Sequence, residues 1–187
     1  MIADRIKWNE RHGERNGFNP ADAYLMKNLD LLKPSRVIDL ACGRGRNSFF
    51  LAENGFQVTG ADISDTGLKI LAGEALNRNL TIQTIDTDLD HPERLLMEVP
   101  FDSIICINFK PTVALLKSIP ALLSENGTFL WCSFNEKQVE LTGFSAVKAL
   151  HPEEFVNFYD DMKMLDYSRF IDETGFRDAY LFVKQTV

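Results

Sequence analysis

Val37-Ile-Asp-Leu-Ala-Cys-Gly-Arg-Gly-Arg-Asn47, followed by Gln57-Val-Thr-Gly-Ala-Asp-Ile63, decides the fold of this chain of 187 residues. The first run is apolar except for Asp39 and then breaks on Gly43 and Gly45. It reads as a buried strand, a tight turn, a helix, and a second strand ending in an acid. Glycine reaches left-handed backbone at little cost and carries no Cβ, so this turn can be sharp and can approach a ligand closely. Asp62 lies 23 residues after Asp39, at the tip of the second strand. A carboxylate there can accept from both hydroxyls of a ribose. The dinucleotide fingerprint G-x-G-x-x-G needs a third small residue, and Ser48 stands in its place. The layout therefore suits a nucleoside-bearing cofactor other than a dinucleotide.

The alternation continues on both sides. Ile2 to Arg15 reads as a polar helical arm, and Asn19-Pro20 opens a helix over 21–32 that Lys33-Pro34 ends. Strands are predicted at 36–41, 56–62, 80–85, 101–108 and 128–134, separated by helices at 46–54, 64–79, 92–97 and 112–123. Strand 1 is almost continuously apolar, as a strand covered on both faces should be. A helix is predicted at 152–160, then two strands at 162–172 and 177–184 joined as a hairpin at Thr174-Gly175. Repeated strand–helix units with right-handed crossovers imply a doubly wound, mostly parallel α/β sheet closed by an antiparallel hairpin. Residues 1–187 are expected to form one domain, with 1–33 as an N-terminal arm.

Composition narrows the function class. The net charge is -7 and the pI about 5.0, which disfavours a nucleic-acid surface. No apolar run approaches a membrane span or a secretion signal, so no membrane partner is expected and a cytoplasmic location is. Cys42, Cys106 and Cys132 have neither metal nor redox spacing and read as buried small hydrophobes. No Cys/His/Asp cluster has metal-ligand spacing, so no metal site is expected. His12, His91 and His151 are isolated in sequence, the last two each preceding a proline.

The run D-L-A-C-G-R-G-R-N over 39–47 resembles motif I of the class I S-adenosylmethionine-dependent methyltransferases, an acid followed by G-x-G-x-G. Ala41 replaces the first glycine of that motif. The longer string C-G-R-G-R-N-S-F-F-L-A-E-N-G-F-Q-V over 42–58 is similar to the branch holding the TehB and thiopurine methyltransferases. The resemblance extends from Trp8 to the last strand. It implies a Rossmann-like α-β-α sandwich with an antiparallel strand inserted in the sheet, S-adenosyl-L-methionine as cofactor, and a methyl acceptor that is a small molecule.

The resemblance also implies roles. Asp39 marks the amino acid end of the cofactor; an acid that only pins the turn is the competing reading. Ala41, Gly43 and Gly45 pass beneath its methionine and ribose portions. Asp62 accepts from the ribose hydroxyls, and Ile63 packs on the adenine face. Asp88 accepts from the adenine amino group while Leu89 packs on the ring, with Asp86 competing for the polar role. Asn108 ends strand 4 facing the transferred methyl or the cofactor's amino group. Arg11, in the segment W-N-E-R, holds a carboxylate or an anionic acceptor, against the plainer reading of a solvated helix face. Arg44 and Arg46 open a helix where the dipole disfavours cations, which points to an anionic neighbour or to ordinary ion pairs. Methyl transfer from a sulfonium is an in-line displacement that needs alignment more than acid–base groups, so no catalytic residue is named. A protein or RNA methyltransferase, a non-catalytic S-adenosylmethionine-binding protein, and a nicotinamide enzyme are the alternatives.

Overall fold

The computed structural model describes residues 2–33 and 35–186, so Pro34 lies outside the described residues. The order is α1 Ile2–Gly13, α2 Ala23–Lys27, β1 Arg36–Leu40, α3 Arg46–Glu53, β2 Gln57–Asp62, α4 Asp65–Asn77 and β3 Ile82–Asp86. Then follow β4 Phe101–Ile107, α5 Val113–Leu122, β5 Leu123–Phe134, α6 Glu136–Thr142, β6 Met162–Asp172 and β7 Gly175–Lys184. Short 3-10 turns occupy Leu29–Leu31, Pro92–Met97 and Ala146–Lys148.

The seven strands form one sheet in the order β3-β2-β1-β4-β5-β7-β6. β1 to β5 are parallel, and β7 runs antiparallel between β5 and β6. The expected hairpin and its insertion are both present. Alternating residues serve the two faces. Ile38, Leu40, Ile104 and Cys106 pack with Leu115, Leu116 and Ile119 of α5. Val37, Ile105 and Ile107 pack with Leu25 and Leu51 on the other face. Phe49, Leu68 and Leu71 form a third cluster around Cys42, locking α3 to α4. All three cysteines are buried and free, as small hydrophobes should be.

Four local expectations change. The helix read over 21–32 is shorter, because Asp22 takes the cap, its carboxylate accepting from Tyr24 N at 3.1 Å. Asn28 then ends it by donating its side-chain amide to Tyr24 O at 2.8 Å. The helix read over 152–160 is a run of turns. Glu153 sits there at φ 56°, its N–H held by the Tyr167 hydroxyl at 2.9 Å, while Lys110 grips both Glu154 oxygens at 2.9 Å. These tertiary anchors override the local propensity. Sequence reasoning also missed α6, although its signals are local: the Asn135 side chain caps Lys137 N at 3.1 Å and Gly143 closes the helix at φ 68°. Finally, β5 begins at Leu123 rather than 128 and runs through the Asn126-Gly127 turn.

Candidate functional site

Sheet order reverses between β1 and β4, and in open α/β sheets ligands bind at such a switch, beyond the carboxyl ends of the strands. Two non-glycine residues stand there in left-handed backbone, Ala41 at φ 58° and Asn108 at φ 59°. Alanine pays about 1–2 kcal/mol for this region, whereas asparagine adopts it readily. Asn108 is exposed, and its own N–H is donated to Cys132 O at 2.8 Å.

Asp62 ends β2 and is 6% exposed. One carboxylate oxygen accepts from Gly43 N and the other from Ser64 N, both at 2.8 Å. Burial pushes this carboxyl up, while the Ser64 and Gly43 N–H groups and His12 pull it down. A carboxylate offers about four lone-pair sites, so Asp62 keeps acceptor capacity beyond these two bonds. The two glycines of the turn are required by protein neighbours. A Cβ on Gly43 would stand 2.9 Å from His12 Cε1, and one on Gly45 would stand 2.5 Å from Leu71 Cγ. Both turn residues have positive φ, 56° and 86°.

Asp39 is 1% exposed and accepts the Ser48 hydroxyl at 2.7 Å. This bond ties β1 to the first turn of α3, and Ser48 is the residue that replaces the dinucleotide glycine. Burial pushes Asp39 up to about 7, against the opposing Ser48 hydrogen bond. In the unfolded chain the group returns to about 4. The folded state therefore keeps a proton that the unfolded chain releases. Its contribution to stability is full below about pH 4 and is lost as pH rises through about 7. Asp39→Asn should accordingly flatten the stability profile between these limits. Urea unfolding across pH checks it, and an unchanged slope would count against this placement of the proton.

Helix α1 lies over the β2 and β3 ends. Arg5 grips both oxygens of Asp86, at 2.7 and 2.8 Å. Asn9 Oδ1 accepts from Ser64 Oγ at 2.7 Å, and its amide donates to Asp65 at 2.7 Å. Of the two acids offered for adenine, Asp86 is thus engaged by Arg5. Asp88 accepts from Asp90 N at 3.0 Å through one oxygen only. Leu89 is buried with Ile85 and Leu95, and Ile63 is half-buried. Arg11 is exposed, its guanidinium 5.2 Å above the Trp8 ring. Arg46 pairs with Asp22 at 3.1 Å and Arg44 donates to Arg15 O at 2.6 Å, so these cations meet protein groups. His91 and His151 are exposed. Among the described residues no group of three or more His, Cys, Asp or Glu could hold a metal ion.

Sequence reasoning did not connect Arg5, Asn9 and His12 with the site. Their spacing along one helix was a signal, but what that helix faces is decided by packing.

A sequence model of the family described as "Tellurite resistance protein TehB" matches residues 6–124. A probable S-adenosyl-L-methionine-dependent methyltransferase TehB from Haemophilus influenzae is 35% identical over 60 residues, covering 32% of this chain and 21% of the relative. Glycine N-methyltransferase from Oryctolagus cuniculus is 36% identical over 84 residues, covering 38% of this chain. That alignment spans 27% of the relative's own length, so both curated relatives extend well beyond the matched region. Among solved structures, TehB from Haemophilus influenzae superposes with a TM-score of 0.73 at 19% identity, covering 96% of this chain and 67% of that one.

Proposed function

The chain belongs to the TehB family of class I S-adenosylmethionine-dependent methyltransferases, and from that premise we propose that it transfers a methyl group from S-adenosyl-L-methionine to a small-molecule acceptor. The observation that carries this reading is the Asp62 carboxylate. It is oriented by the Gly43 and Ser64 N–H groups, it keeps acceptor capacity beyond them, and it stands beside a glycine turn at the tip of β2. A ribose presents two vicinal hydroxyl donors, so the residues fit the group.

When bound, the cofactor supplies a methyl on a sulfonium whose departure leaves a neutral thioether. The chain's own part is positioning. Asp62 takes the ribose hydroxyls. Asp88, with one oxygen uncommitted, takes the adenine amino group between Ile63 and Leu89. The Ala41–Gly45 turn carries the methionine portion, with Asp39 and Asn108 at the strand ends on either side of the reversal. Residues 2–33 close over the nucleoside end through α1 and exclude water. An acceptor would enter over Asn108 and Phe109. Alignment and desolvation are the catalytic contributions such a site makes.

Titration calorimetry tests the reading. S-adenosylhomocysteine should bind saturably and NADH should not, and with a suitable small acceptor S-adenosylmethionine should be converted to its demethylated product. Saturable binding of NADH alone would reverse the cofactor assignment.

A further inference from the structure

Three hydrogen bonds lock the side chain of Asn9, on α1, into the turn that joins β2 to α4. Its Oδ1 accepts the Ser64 hydroxyl at 2.7 Å and Thr66 N at 3.3 Å, and its amide donates to Asp65 at 2.7 Å. Thr66 N and Gly67 N belong to the first turn of α4, where backbone donors have no partner inside the helix. Asn9 takes the first and the Ser64 hydroxyl takes the second at 3.0 Å, so α4 is capped partly from another helix. Ser64 is fully buried, and its own N–H donates to Asp62 Oδ1 at 2.8 Å. A continuous path of hydrogen bonds thus runs from Asn9 through Ser64 to the Asp62 carboxylate. Arg5 already holds α1 through both Asp86 oxygens, and the His12 ring packs against Gly43 and Gly67. Asn9 adds something those contacts do not: with its hydroxyl both donating and accepting, Ser64 is fixed in rotamer, and the direction of its N–H with it.

We propose that Asn9 is a positioning residue of the nucleoside site, acting through Ser64 to hold the Asp62 carboxylate where it takes the ribose hydroxyls. The inference rests on the cofactor reading given above. Without Asn9 the Ser64 hydroxyl keeps only its bond from Gly67 N, and the turn loses its anchor on the α1 side. The donor that orients Asp62 Oδ1 is then no longer fixed. A ligand-binding group depends on such supporting bonds to stay within about 0.5 Å of its productive place. The neighbours also set the polarity at position 9. The carbonyl oxygen meets two donors, while the amide meets a carboxylate that Lys69 holds at 3.0 Å and Arg5 approaches at 3.8 Å. An acid at this position would face Asp65 as a like charge.

The test is calorimetric binding of S-adenosylhomocysteine to the full chain, paired with thermal unfolding and with no turnover involved. Asn9→Ala keeps α1, because alanine is the best helix former, and should bind about fivefold more weakly. Asn9→Asp should also bind weakly. Adding Asp65→Asn to it reverses donor and acceptor across the same contact at unchanged total charge, and should restore affinity to within about twofold of the natural chain. A double-mutant cycle separates positioning from general support of the fold. In an Asp62→Ala background Asn9→Ala should cost no more than about 1.5-fold, because the carboxylate it acts through is gone. The same loss in both backgrounds would overturn the inference, whatever the melting temperatures. So would binding by Asn9→Ala within about twofold of the natural chain, and either result leaves the cofactor reading standing. A natural chain that fails to bind S-adenosylhomocysteine would overturn both.

Discussion

Asp62→Ala should weaken S-adenosylhomocysteine binding by about 1.5–3 kcal/mol, roughly 10- to 150-fold, the scale of hydrogen bonds to a charged group. The carboxylate is the only acceptor that this reading provides for both ribose hydroxyls, and nothing in the turn replaces it. The structure adds a second consequence. Asp62 also satisfies Gly43 N and Ser64 N, so its removal orphans two N–H groups and loosens the turn itself. Asp62→Asn separates the two effects. It preserves size and one acceptor oxygen, so it should fold more stably than the alanine variant yet still bind the nucleoside poorly. Calorimetry paired with thermal unfolding distinguishes them. Full affinity in a folded Asp62→Asn protein would remove Asp62 from the site.

The largest stability effect is expected at Arg177→Ala, about 3–5 kcal/mol. Arg177 and Asp22 are both fully buried side chains, paired at 3.0 Å. The pair joins the N-terminal arm to β7 across 155 residues of chain. Asp172 adds a contact to Arg177 at 2.9 Å, and Arg46 adds one to Asp22 at 3.1 Å. Losing the guanidinium leaves Asp22 buried with Arg46 as its one remaining cation and the Tyr24 N–H as its backbone donor. Breaking one partner of a buried pair costs far more than the pair itself contributes, because the survivor cannot regain water. For a domain of this length the loss corresponds to roughly 6–20 °C in melting temperature. Asp172→Asn should cost much less, about 1 kcal/mol, because that side chain retains 17% exposure. A similar loss for both variants would mean that burial of the Asp22–Arg177 pair is not the cause.

Much of the site was legible in one dimension because its logic is local. Asp39, the glycine turn and Asp62 are set by strand–turn–helix grammar, and Ser48 in place of a third glycine marked the departure from dinucleotide binding. Ser64 as a helix cap was read correctly, its hydroxyl accepting from Gly67 N at 3.0 Å. Arg46 shows the limit. Its position at a helix N-terminus left ligand and ion pair equally open, and only the fold brought Asp22 to it. The same holds for the choice between Asp86 and Asp88. Both acids follow β3, and the approach of Arg5 from a helix 81 residues away commits the first.

The amino-acid order by itself determined the alternating strands and helices, the antiparallel closing hairpin, the acid at the tip of β2 and the left-handed turn, because each depends on residues within a few positions of one another. Which face of α1 meets the strand ends, that His12 rather than Arg11 is buried there, and that Asp22 finds Arg177 were decided only by tertiary packing. These are contacts between segments distant along the chain, where burial and charge pairing, not backbone propensity, select the arrangement.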